Sequence, residues 1–302
     1  MIIVLGSINL DLIARVKKIP QPGETVSGST FTSAPGGKGA NQALAIKRAG
    51  ADVAMIGAVG EDANAQPALA LLKVAGVDLS GVKTVPDEKV STGVAMILVD
   101  EVSGENQIAV IAGANAHADD DGKGAAAIKS GDNIVLQMEV PDAANRAAIN
   151  AAQSVGARSI LNIAPYGEGA VELARLADIT IANETEFDDL SEALKLTGSD
   201  RRARAHDYSK TFGKGIVITL GANGALAVID GNEFSAKSPK IEAVDTVGAG
   251  DTFCGAFAVA LEEGKSIEAA LGFACAAGAL ACLKPGAQPA IPMRTDIDAM
   301  IA

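Results

Sequence analysis

The run Asp245-Thr246-Val247-Gly248-Ala249-Gly250-Asp251-Thr252-Phe253, followed by a helical stretch to Glu263, holds the residues best suited to chemistry. Glycines just before a helix let consecutive backbone N–H groups converge on an anion, and the helix dipole adds partial positive charge there. Gly248, Ala249 and Gly250 therefore read as a phosphate cradle with the carboxylate of Asp251 at its centre. An aspartate among bound phosphates is electrostatically costly. That cost assigns it a task, accepting the proton of an attacking hydroxyl as a phosphorus–oxygen bond forms. The plain alternative is a helix cap and a glycine turn with no ligand.

A second glycine turn opens a helix at Ala34-Pro35-Gly36-Gly37-Lys38-Gly39-Ala40-Asn41-Gln42-Ala43. Here the backbone can approach a polyhydroxylated ligand, while Lys38 and Asn41 supply donors. No G-x-x-x-x-G-K-[ST] run occurs, which excludes a Walker A loop. Gly6 is not followed by the glycine spacing of a dinucleotide fingerprint, which disfavours a nicotinamide-dependent dehydrogenase. Asn9 and Asp11 are placed at the end of the opening strand. Alternation turns both to one face, and an amide–carboxylate pair suits the donors and acceptors of a sugar. Glu139 follows a buried strand and precedes Pro141, at a carboxyl end of the sheet, where doubly wound folds hold ligands. Asn183 and Glu186 in Asn183-Glu184-Thr185-Glu186 have, on their own, the spacing of a helix capping box.

Short apolar runs at Val53–Val59, Asn133–Met138, Ser159–Ile163, Ile179–Ala182 and Ile216–Leu220 predict central strands. Helical segments at Gly39–Ala49, Ala63–Ala75, Asp142–Ala152 and Phe187–Leu196 alternate with them, several closed by Gly50, Gly76 or Gly156. The fold class is α/β, a doubly wound, mainly parallel sheet with helices on both faces. Two segments break the alternation: Leu12 to Ser33, and Ser91 to Ile111 with a turn at Ser103-Gly104. They predict a small β-sheet lid from residues 12–33 and 91–111. Residues 1–11, 34–90 and 112–302 form the α/β domain that binds the ligands. A lid suits phosphate transfer because it keeps water from the reacting phosphate.

Composition limits the partners. The chain of 302 residues carries 25 Lys+Arg against 37 Asp+Glu, a net charge of -12 that repels a nucleic-acid backbone. Its densest basic run, Arg201-Arg202-Ala203-Arg204, reads as the solvated face of a helix. Cys254, Cys275 and Cys282 lack metal-site spacing and read as buried free thiols. No basic leader precedes the first strand, so a cytoplasmic location is expected. The Ala-rich stretch Ile267–Leu283, broken by Gly272 and Gly278, reads as a close-packed helix rather than a membrane span. Neither His117 nor His206 adjoins a nucleophile or forms a metal-ligand pattern, which leaves catalysis to carboxylates, amides, backbone donors or metal ions.

In order and separation, the two glycine motifs resemble the ribokinase (PfkB) family of carbohydrate kinases over nearly the whole chain. Gly6-Ser7-Ile8-Asn9-Leu10-Asp11, Pro22-Gly23-Glu24-Thr25-Val26, Gly113-Ala114-Asn115 and Gln137-Met138-Glu139 extend the resemblance. It implies a sugar held by Asn9, Asp11, Gly37, Lys38, Asn41 and Glu139, with Asp251 as base and Gly248, Ala249 and Gly250 as an anion hole. Thr219-Leu220-Gly221-Ala222-Asn223-Gly224 resembles the family's nucleotide loop. ATP is thus expected against Asn183, Thr219, Gly221, Gly224, Gly250 and Cys275, the last at a position near adenine where a polar side chain is commoner. Asn183 and Glu186 are implied to order magnesium through its waters. Asp245, Val247, Ala281, Lys284 and Gly286 are implied to hold potassium, chiefly through backbone carbonyls. Ala290 stands where the family usually offers a serine hydroxyl, so potassium activation is expected to be weakened. The expected reaction is phosphorylation of the primary hydroxyl of D-ribose by ATP, in a homodimer paired through the lid. Deoxyribose, other sugars or nucleosides are rival acceptors, and a sugar or nucleotide sensor without catalysis is the rival of another class.

Overall fold

The computed structural model describes residues 1–302. The strands are β1 (Ile2–Leu5), β2 (Asn9–Val16), β3 (Gly28–Gly36), β4 (Val53–Gly60), β5 (Asp78–Val85), β6 (Gly93–Asp100), β7 (Asn106–Ile111), β8 (Asn133–Leu136), β9 (Arg158–Asn162), β10 (Ile179–Asn183), β11 (Gly215–Thr219), β12 (Ala225–Ile229) and β13 (Asn232–Ala236). The helices are α1 (Lys38–Arg48), α2 (Ala65–Ala75), α3 (Lys123–Ala126), α4 (Asp142–Val155), α5 (Ala170–Leu176), α6 (Glu184–Leu194), α7 (Arg201–Phe212), α8 (Ala249–Glu262), α9 (Ile267–Ala281) and α10 (Arg294–Ile301).

The short apolar runs become the middle of a nine-stranded sheet of order β13-β12-β11-β10-β9-β8-β1-β4-β5. From β11 to β5 every neighbouring pair is parallel. β1, β8 and the body of β9 are buried, as strands covered on both faces must be. One apolar layer packs Leu44, Phe253, Phe257 and Phe273 from α1, α8 and α9 on one face. The other packs Ile149, Leu173, Phe187 and Tyr208 from α4 to α7 on the opposite face. The chain crosses from β1 to β4 on one side and later returns to β8 on the other. The carboxyl ends of β1 and β8 therefore flank the point where strand order reverses, and a crevice opens there.

A second sheet of order β3-β2-β6-β7 stands apart from the first. Its strands extend a few residues beyond the segments read from sequence, to Asn9 at one end of β2 and Gly36 at the end of β3. Asn9 and Asp11 therefore begin the small sheet instead of ending the opening strand, which stops at Leu5. Their common face survives the correction, because both lie two residues apart on one strand.

Other boundaries shift by a few residues. β5 and β13, partly exposed edge strands without a long apolar run, were not anticipated, nor was β12, a short buried strand that pairs antiparallel between β11 and β13. Arg201, Arg202 and Arg204 sit on a helix as expected, but they are ion-paired with Glu184, Asp188 and Glu233. Cys254 and Cys275 are buried, whereas Cys282 is only half-buried because it caps the exposed end of α9. No helix is long and apolar enough to cross a membrane.

α1 lies directly on the end of β1. A Cβ placed on Gly39 would come within 2.6 Å of the Gly6 Cα and the Ser7 nitrogen, both rigid backbone. Gly39→Ala is expected to force α1 off the sheet and to cost about 1–3 kcal/mol. A lowered midpoint in urea unfolding checks this.

Candidate active site

Three elements meet at the reversal point. α1 begins at Lys38 after Gly37, whose φ of 89° turns the chain so that its backbone abuts Ser7 and Asn9. Glu139, just past β8, accepts from the Ser7 hydroxyl at 2.5 Å and from the Lys38 amide at 3.0 Å. Ser7 in turn accepts from the Gly39 amide at 3.3 Å. Glu139 is thereby fixed against the first turn of α1.

Asp251 lies in the first turn of α8 and is buried. Asn41 donates its amide to Oδ2 at 2.9 Å, and Gln42 donates to Oδ1 at 3.0 Å. Each carboxylate oxygen keeps room for one further donor. Gly248 caps the helix with φ 75°, a conformation that costs a side-chain-bearing residue about 1 kcal/mol or more. Beyond it the amides of Gly250 and Asp251 have no intrahelical acceptor, which makes this end a ready anion site. The Ala249 amide makes a long 3.3 Å bond to the Thr246 carbonyl.

Charges crowd this centre. The carboxyl of Asp11 is pushed up to about 6, first by burial and then by Glu139 and Asp251. The Lys38 ammonium is held above its ordinary range, chiefly by Asp251 and further by Glu139 and Glu186. One lysine thus sits among three carboxylates. Asn9, buried, accepts from Asn115 at 2.7 Å, and Asn115 also accepts from the Ile8 amide at 2.9 Å. That contact commits the Asn9 carbonyl oxygen and leaves its NH2 group for a ligand. Of the residues expected to bind sugar, Lys38 is joined to Glu139, Gly37 abuts Asn9, Asn41 reaches Asp251, and Asp11 lies close enough to feel Glu139 and Asp251.

Two cavities adjoin on the other side of Asp251. One of 220 Å³ is lined by Lys38, Asn183, Glu186, Thr219, Gly248, Gly250 and Asp251, among others. The second, of 520 Å³, runs from Thr219, Gly221 and Gly224 past Gly250 and Phe253 to Cys275, Ala279 and Cys282. Thr219, Thr246 and Gly250 line both, so the larger cavity adjoins the one that reaches Asp251. The walls of the larger cavity are mainly small or apolar side chains, as a planar base requires.

The residues expected at metals can be tested against their chemistry. Asn183 and Glu186 form a reciprocal capping box, with the Asn183 oxygen accepting from the Glu186 amide at 2.8 Å and Glu186 accepting from the Asn183 amide at 2.9 Å. The plain reading of this motif is therefore realised. Glu186 Oε1 remains available, and burial raises this carboxyl above its usual range, so a nearby cation would relieve it. No group of three or more His, Cys, Asp or Glu side chains gathers into a metal cage. Elsewhere, Asp245 accepts from the Val247 amide at 3.0 Å and from the Gly286 amide at 2.8 Å, clamping two loops together. No backbone amide donates to the carbonyls of Asp245, Val247, Lys284 or Gly286, so unpartnered oxygens are present there, the donor type a hard monovalent cation takes. Ala281 ends α9 beside them, and Ala290 is buried with no hydroxyl to add.

Sequence reasoning assigned no role to Ser7, Gln42, Asn115 or Gln137, although each lies inside a motif it had marked. Asn162 gave no signal beyond a polar residue closing an apolar strand. In the structure it accepts from Gln42 at 3.3 Å.

The family model for pfkB carbohydrate kinases matches residues 1–294. Haemophilus influenzae ribokinase is 38% identical over 301 residues, covering 97% of this chain and 95% of that protein. Salmonella typhi deoxyribokinase is 34% identical, covering 96% and 95%. The structure of Arabidopsis thaliana ribokinase complexed with ribose and ATP superposes with a TM-score of 0.88 at 32% identity, covering 99% of this chain and 98% of that one. The chain belongs to the PfkB family of carbohydrate kinases, and it is a sugar kinase on the fold of the ribokinases.

Asp11 gives the site a pH dependence. Its ionised form accepts hydroxyl donors, and with a folded value of about 6 it is about one-tenth ionised at pH 5. The KM for the acceptor is expected to rise about tenfold between pH 7 and pH 5. Kinetics at saturating ATP check this, and Asp11→Asn should remove that limb of the profile.

Proposed function

We propose that the chain transfers the γ-phosphate of ATP to the primary hydroxyl of D-ribose, giving D-ribose 5-phosphate and ADP. The observation that supports this reading is the seat of Asp251, which is held by Asn41 and lines the cavity shared with Lys38, Asn183, Glu186 and Thr219. Ribose as acceptor rests on the ribokinases among the relatives and on the ribose and ATP bound by the Arabidopsis protein.

Ribose lies against Asn9, Asp11, Gly37, Lys38, Asn41 and Glu139, with its primary hydroxyl at Asp251. Asp251 accepts the hydroxyl proton while the oxygen bonds to the γ-phosphorus and the bond to the β–γ bridging oxygen breaks, releasing ADP. The transition state is loose, so the proton leaves late and a carboxylate suffices as its acceptor. In this reading the amides of Gly248 and Gly250, and that of Ala249 once it gives up its long bond to the Thr246 carbonyl, donate to the charge spreading over the transferred group. Asn183 and Glu186 would hold magnesium through its waters, which when bound neutralises charge on the β- and γ-phosphates. Carbonyls of Asp245, Val247, Ala281, Lys284 and Gly286 would hold potassium, weakly because Ala290 contributes nothing. The small sheet, residues 12–33 and 91–111 in the main, acts as a lid that shields the reaction from water. We place the reaction in the cytoplasm, where three unpaired thiols stay reduced.

A second acceptor is favoured by the match to a deoxyribokinase, because one missing hydroxyl alters no motif. ATP consumption measured in parallel with D-ribose and 2-deoxyribose decides between them, and fast turnover with ribose alone is expected. Asp251→Asn is expected to lower kcat by about 100- to 10,000-fold while ATP still binds. Unchanged turnover in that variant would remove Asp251 as the base.

The small sheet ends in two unpaired edges, β3 and β7, and exposes Phe31, Ile108 and Val110 by 68%, 54% and 58%. Pairing of two lids would cover them. Light scattering after size exclusion is expected to give twice the 30.3 kDa chain mass.

A further inference from the structure

We propose that Gln42 is the positioning residue that aims the Asp251 carboxylate, and that Gln137 locks Gln42 in the required orientation. The proposal rests on Asp251 being the base. Gln42 is wholly buried, and its NH2 group donates to Asp251 at 3.0 Å and to Asn162 at 3.3 Å. Its carbonyl oxygen accepts from the Gln137 amide at 2.7 Å. The direction of this chain is unambiguous. An ionised carboxylate only accepts, so the Gln42 nitrogen faces Asp251 and its oxygen must face Gln137. Gln137 is also wholly buried, and its own oxygen has no partner. A side-chain oxygen left unpaired in the interior is costly, which argues that Gln137 is kept for the donor it offers to Gln42.

The arrangement reaches across the fold. Gln137 follows β8, Gln42 belongs to α1, Asn162 ends β9 and Asp251 opens α8. Asn41 holds the other carboxylate oxygen, so two neutral amides fix the plane of the group from opposite oxygens. Two charged donors in their place would draw the carboxylate away from a neutral hydroxyl, whereas amides orient it without neutralising it. Around Asp251 stand Asp11 from β2, Lys38 from α1, Glu186 from α6 and Cys254 from α8 itself. None of these replaces the contact to Oδ1.

Steady-state kinetics of the full-length protein with ATP, magnesium, potassium and D-ribose test the role, using Gln42→Leu, Gln42→Glu and Gln137→Met beside the native chain. Gln42→Leu is expected to lower kcat by on the order of 10- to 100-fold, the range for a misaimed reacting group, with the ribose KM changed less than about twofold. Gln42→Glu is the diagnostic variant. Its carboxyl is the shape of the amide, and when protonated it donates to Asp251 as the amide does. When ionised it sets a like charge against Asp251. Its kcat, relative to native, should therefore be lowest at pH 8 and recover as the pH falls toward 6. Asp11 changes the KM in that range and not kcat, so the two effects separate. Gln137→Met should lower kcat by a smaller factor, and it carries the test if the Gln42 variants do not fold. Native-like kcat in Gln42→Leu, or in Gln137→Met when the Gln42 variants do not fold, overturns the proposal. So does a Gln42→Glu defect that is independent of pH. Native protein that turns over none of the acceptors would instead defeat the kinase reading itself, and the role of Gln42 with it.

Discussion

The site depends on one steric fact: α1 touches the end of β1 with no side chain between them. Gly39 rests on the backbone of Gly6 and Ser7, and the Ala40 amide reaches the Ser7 carbonyl at 2.9 Å. Because α1 is seated this closely, Lys38, Asn41 and Gln42 enter the crevice at fixed heights. Glu139 is then caught between Ser7 and the Lys38 amide. A helix displaced by the thickness of one methyl group would carry all of these away from Asp251 together.

The second constraint is electrostatic. Asp251, Glu139 and Glu186 surround Lys38, which alone among them is positive, and Asp11 adds a further carboxyl beside Glu139 and Asp251. Such an excess is tolerable because amides of Asn41, Gln42, Lys38 and Asn183 satisfy the carboxylates individually. It also means that the crevice gains from hydroxyl donors and from cations, the two kinds of group that a sugar kinase brings together. The raised value of Asp11 is the part of this imbalance that amide donors do not offset.

Much of this was legible in the sequence. The glycine run before Asp251 forecast a helix N-terminus with free amides, because glycine there has a geometric reason that substitution would expose. Central strands were legible because burial on both faces leaves an uninterrupted apolar run. Edge strands β5 and β13 were not, since half-exposed strands mix polar and apolar residues without a distinctive period. Asn9 and Asp11 were assigned to the correct face of the wrong strand, because spacing reveals alternation but not where a chain leaves one sheet for another. Gln42 and Gln137 were hardest, since a buried amide acquires its meaning only from partners about a hundred residues away. Asn183 and Glu186 carry two readings that do not compete, as a capping box still leaves one carboxylate oxygen free.

The position of β1 in the sheet has a bearing on how the molecule assembles. Ile2 to Leu5 pair with Val53 to Ile56 on one side and with Asn133 to Leu136 on the other. β1 therefore waits for more than a hundred further residues to be made before both its edges are covered. α8, which brings Asp251, arrives later still. Contacts this distant along the chain slow the search for the native topology and leave an apolar strand open to wrong partners during synthesis. The contacts around Asp251 join α1 to α8, about two hundred residues apart, so they can close only once most of the chain has been made.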